Sequence, residues 1–108
     1  MQVVFAGHDD EGLIVNLEGE GNEVATVEEI ATRPALEEAG IVDADLFVLT
    51  DVEQATAVPI AKDLNDDLRV VIYSRDSFPE FASAQVDLAV DPDLLGPDAV
   101  AEELSGTA

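Results

Sequence analysis

The side chains able to do chemistry in this sequence sit directly after short apolar runs. Gly7-His8-Asp9-Asp10-Glu11-Gly12 follows Val3-Val4-Phe5-Ala6, Thr50-Asp51 follows Leu46-Phe47-Val48-Leu49, and Ser74-Arg75-Asp76 follows Val70-Val71-Ile72-Tyr73. Glu28-Glu29 and Asp91 follow two weaker runs. Oxygen donors of this kind suit a hard cation such as Mg²⁺, or the positive end of a helix. His8 is the only histidine, and a general base needs an oriented partner that the sequence does not fix. One His and no Cys give no zinc spacing, disulfide or thiol nucleophile. Ser74, Ser77 and Ser105 lack a His/Asp constellation. The expectation is a domain that is not an enzyme and holds no metal.

Elements that would position these residues are legible as alternation. Gln2 to Ala6, Leu46 to Thr50 and Arg69 to Tyr73 read as strands buried on both faces, Glu23 to Glu28 as a strand nearer an edge, and Val86 to Val90 as a weak fifth. Helical spacing covers Asp10 to Glu18, a segment capped by Thr32 with Pro34 in its first turn, and Val52 to Leu64. Pro59 falls inside that last stretch and predicts a kink or a late start. A short helix through Ala82 and a final one from Asp98 to Leu104 complete the pattern. The fold class is α/β: a three-layer Rossmann-like domain with a mainly parallel sheet of about five strands, one domain over residues 1–108. In such a sheet ligands bind beyond the carboxyl ends of the strands, where the acidic segments lie.

Composition narrows the partners. Lys and Arg number 4 against 25 Asp and Glu, a formal charge of −21. No nucleic-acid partner is expected, because phosphates need cations to displace their counterions. No apolar run approaches the ~18 residues that span a bilayer, so no direct membrane insertion is expected, and a cytoplasmic location is the default. With 47% hydrophobic residues the chain should nonetheless fold. The composition resembles that of proteins from salt-loving archaea; in molar salt the Debye length falls to about 3 Å and screens the self-repulsion.

Two nucleotide signals stand out. Gly7, Asp9 and Gly12 occupy the positions of a G-x-G-x-x-G turn, with Asp9 at the middle glycine. Glu28, 21 residues after Gly7, has the spacing of an acid that holds a ribose hydroxyl. Together with Leu36-Glu37-Glu38-Ala39-Gly40-Ile41, Ala44-Asp45 before the third strand, Thr50-Asp51 after it, Ala61-Lys62-Asp63-Leu64-Asn65 and Asp91-Pro92, the chain from about residue 2 to 104 resembles the N-terminal NAD-binding domain of TrkA-type potassium-uptake regulators. The resemblance implies NAD or another adenine nucleotide as cofactor. It places Gly7, His8, Asp9 and Gly12 in the nucleotide turn, Glu28 at the ribose, and Ala31, Thr32, Thr50 and Asp51 along the adenosine. The stretch between Val27 and Leu36 is shorter than that family's by a unit of about 15 residues, so the domain reads as shortened and degenerate.

Two alternatives belong to other classes. One is a protein-interaction module whose site has decayed, acting as a homodimer or on a separate protein partner. The other resembles a response-regulator receiver, with Asp9-Asp10 as a Mg²⁺ pocket, Asp51 as phosphoacceptor and Ser74 as the hydroxyl residue; Asp91 then stands where that family carries Lys.

Overall fold

The structure is a computed structural model that describes residues 1–106. The apolar runs form strands β1 (Gln2–Ala6), β2 (Glu23–Val27), β3 (Leu46–Leu49), β4 (Arg69–Tyr73) and β5 (Leu88–Val90). Between and after them lie helices α1 (Leu13–Gly19), α2 (Arg33–Glu38), α3 (Ala57–Leu64), α4 (Glu80–Ser83) and α5 (Pro97–Gly106). The sheet order is β2-β1-β3-β4-β5, and every neighbouring pair is parallel. This is the three-layer Rossmann-like architecture expected from the alternation.

Period-two burial in the central strands builds two cores. Val4, Ala6, Phe47, Leu49, Val70 and Ile72 face α2, α3 and α4, packing on Leu36, Val58, Ala61 and Ala82. Val3, Phe5, Leu46, Val48, Val71 and Tyr73 face α1 and α5, packing on Leu13, Leu17, Val100 and Leu104. With both faces covered, these strands need apolar side chains at every position, and that is why their sequences show no polar alternation.

Several boundaries differ from the sequence expectation. α1 begins at Leu13 and not at Asp10, because Gly12 sits at φ +78°, a left-handed conformation that cannot lie within a right-handed helix. The segment 52–64 divides into a 3-10 turn, Val52–Gln54, and a late-starting α3 that places Pro59 in its first turn, where no intrahelical N–H is needed. β5 is limited to three residues, since Val86 turns inward with Phe78 against the first core. α5 starts at Pro97, whose fixed φ suits a first helical position.

Candidate functional site

β1 leads to β2 on one side and has β3 on the other, so the carboxyl ends of β1 and β3 part at a topological switch point. The chain leaves β1 through Gly7 at φ +103°. A Cβ there would collide with Thr50 Oγ1 and come within 3.1 Å of the Asp51 nitrogen, so glycine is required by both conformation and space. Thr50 Oγ1 donates to the His8 carbonyl at 2.8 Å, tying the end of β3 to the turn. The carboxylate of Asp9 then accepts the N–H groups of Leu13 at 2.7 Å and Ile14 at 3.1 Å. These are first-turn donors of α1, which a nucleotide fold points at a pyrophosphate. In this chain the anion at that helix end is the chain's own side chain.

Other rim groups are engaged in the same way. Asp51 accepts from the Glu53 N–H at 3.0 Å and from the Gln54 side chain at 3.4 Å, capping the 3-10 turn. Gln54 in turn accepts the Ala31 N–H at 2.7 Å. Arg75 spans three loops: its guanidinium donates to Glu11 after β1 and to Asp93 after β5, both at 2.9 Å. Those two carboxylates hold Arg75 still more firmly protonated than an ordinary guanidinium. Tyr73, 2% exposed, donates its hydroxyl to the Leu95 carbonyl at 3.0 Å, and burial followed by the nearby Glu11 charge raises its pKa above the usual 10.0. Among the described residues no buried side-chain polar atom lacks a partner.

Two clefts open on this rim. One, of 510 Å³, lies over the ends of β1, β3 and β4 and includes Asp10, Glu11, Thr50, Tyr73, Ser74 and Arg75 in its lining. The other, of 600 Å³, lies over β1 and β2 and includes Gly7, Glu28, Ile30 and Gln54. His8, Asp9 and Asp51 line both. The structure therefore brings six of the nine nucleotide candidates to the clefts, Gly7, His8, Asp9, Glu28, Thr50 and Asp51, while Gly12 shapes the turn without lining either cleft. Ala31 is buried with its N–H taken by Gln54, and Thr32 caps α2 by accepting the Ala35 N–H at 3.3 Å; neither lines these clefts. Among the described residues no three His, Asp or Glu side chains converge as a metal site. Sequence reasoning missed Gln54 and the Glu11–Arg75–Asp93 bridge. The signal available for the latter was one cation on an acidic rim; its partners lie 64 and 18 residues away.

A model of a family of unknown function, DUF7126, matches residues 3–104. The chain belongs to that family. No functionally curated protein matches this DUF7126 member in sequence. Among solved structures it is similar to an orphan response regulator of H. pylori, with a TM-score of 0.75 and 17% identity over 98% of this chain and 94% of that one. It is similar to a protein assigned to pilus assembly from Burkholderia thailandensis, with a TM-score of 0.70 and 16% identity over 100% and 99% of the two chains. It is also similar to the TrkA-N domain of the inner membrane protein ybaL from Escherichia coli, with a TM-score of 0.58 and 12% identity over 98% and 95%. At such identities the likeness is one of fold. Topology explains why both kinds of regulatory domain match: removing the third strand from the dinucleotide-binding order 3-2-1-4-5-6 leaves 2-1-4-5-6, which is the flavodoxin-like order 2-1-3-4-5 renumbered.

Proposed function

We propose that this DUF7126 domain is a non-catalytic regulatory module, related in architecture to nucleotide-sensing domains, whose nucleotide turn is closed by Asp9 and which acts through contacts with protein. The observation that carries the reading is the pair of hydrogen bonds from Leu13 and Ile14 to the Asp9 carboxylate. A pyrophosphate would have to displace that carboxylate and then lie beside it, against like-charge repulsion. Asp10, Glu11, Glu28 and Asp51 on the clefts add to that repulsion, and the nearby cation, Arg75, is already bonded to two carboxylates. A cytoplasmic location accords with this role.

The test is a thermal-shift titration in about 2 M KCl, where screening relieves self-repulsion, with NAD, NADH, ATP, AMP and Mg²⁺ added separately. The reading expects no saturable shift with any of them. A saturable shift with one nucleotide would overturn it and restore a TrkA-N-like sensor, since a ligand that binds only the folded state raises its melting temperature by mass action.

One observation favours a second reading, an atypical receiver. Asp9, Asp10, Asp51 and Ser74 line the same cleft at the switch point between β1 and β3. In that case a small phosphoryl donor with Mg²⁺ would label the chain, and Asp51→Asn would remove the label.

A further inference from the structure

β5 is the least covered strand of the sheet. Leu88 and Ala89 are exposed and Val90 is half-buried, whereas all four side chains of β3 are buried. Among the described residues β5 ends the sheet and pairs only with β4. α4, the helix between those strands, is four residues long and leaves Phe81 67% exposed. Leu94 is 83% exposed in the segment that follows β5. A sheet edge that carries exposed apolar side chains, as β5 does at Leu88 and Ala89, is a template for one more strand.

Charge selects what that strand can be. The edge reads Asp87-Leu88-Ala89-Val90-Asp91, an apolar centre between two acids. If two copies paired antiparallel about Ala89, Asp87 of each would face Asp91 of the other; paired parallel in register, each acid would face itself. Like charges directly opposite are destabilising in a sheet. Asp87 accepts the Val70 N–H at 2.7 Å and has Lys62 at 3.5 Å, yet its side chain remains 46% exposed. Asp91 accepts the Asp93 N–H at 2.8 Å. Arg33, Lys62 and Arg75 are each ion-paired within the chain, and the net charge is −21, so a second copy has little to offer these acids.

We propose that the β5 edge binds an extended segment of a partner protein as a sixth strand, with an apolar centre flanked by Lys or Arg. This rests on reading the domain as an interaction module and names the surface and the partner chemistry. The experiment uses a fluorescein-labelled peptide with a Val-Ile-Val centre and two lysines on each side, and a control with glutamates in place of the lysines. Anisotropy is read at the lowest KCl concentration at which far-UV circular dichroism shows the chain folded.

Saturable binding of the lysine peptide alone is expected, weakened by roughly tenfold in the Asp87→Asn/Asp91→Asn variant, which keeps the oxygen acceptors but removes the charges. The Asp87→Lys/Asp91→Lys variant, if circular dichroism shows it folded, should reverse the preference and take the glutamate peptide, an outcome that mere loss of structure could not produce. Equal binding of both peptides, or binding of neither, would overturn the proposal. So would a dimer in sedimentation that Leu88→Glu disperses, which would assign the edge to a second copy. A nucleotide shift in the separate titration would instead sink the closed-site reading, so the two failures are told apart.

Discussion

The rim above β1 and β3 and the edge at β5 are built from the same ingredients, acids beside apolar strands, and differ in how far the apolar side chains are covered. On the rim, the carboxylates of Asp9, Asp51 and Glu11 are taken up by the helix start, the 3-10 turn and Arg75. Of the strands beneath, β3 is buried at every residue, and β1 and β4 at every residue but the first. At the edge, Asp87 and Asp91 flank the exposed Leu88 and Ala89 and the half-buried Val90. An acidic motif at a strand end is thus no guide to a ligand until its lone pairs are accounted for. The uncovered surface lies where the sequence carries no catalytic motif.

Gly7→Ala should break the closed rim most severely. Positive φ and the collision with Thr50 Oγ1 together should cost about 2 to 4 kcal/mol. On a domain of this size that lowers the melting temperature by roughly 10 to 20 °C, read by calorimetry. An unchanged melting temperature would mean that the turn is not held against β3.

Asp9→Gly sharpens the contrast by uncapping α1. Loss of the cap should cost about 1 kcal/mol. The freed N–H groups of Leu13 and Ile14 should give the variant a saturable thermal shift with NAD or ADP, where none is expected of the unaltered chain. If the variant gains none, Asp9 is not what closes the turn.

A smaller effect concerns Tyr73. Its pKa is raised in the folded state, so above pH 10 the unfolded chain loses its phenolic proton first. That contribution to stability is fully present below pH 10 and is lost as pH rises through the folded pKa. Tyr73→Phe should flatten this alkaline fall in a melting series; an unchanged slope would assign the fall to other groups. The smallest change is expected from Arg75→Gln, because exposed ion pairs are screened. Its destabilisation should shrink further between about 0.1 M and about 2 M KCl.

The strands and their order of burial were legible because a strand covered on both faces must be apolar at every position, as Val3 to Ala6 and Leu46 to Leu49 are. The late start of α3 was legible from Pro59, and the cap of α2 from Thr32 and Pro34. For the site, the sequence located the glycines and acids of the rim, whereas Ala31 and Thr32, which the family resemblance set along the adenosine, lie outside the two clefts. The bond from the Ala31 N–H to Gln54, 23 residues on, is a long-range contact that no local pattern encodes.

The sequence by itself determined the α/β class, the acidic rim and a net charge of −21, since these follow from periodicity and composition, which are local or additive. Tertiary structure decided the rest. It brought Arg75 to Glu11 and Asp93, set Thr50 against Gly7, aimed Asp9 at the first turn of α1, and placed β5 at the edge of the sheet beside β4. Those outcomes depend on which groups meet across long stretches of chain, and a hydrogen bond or an open edge exists only once the sheet order has fixed its neighbours.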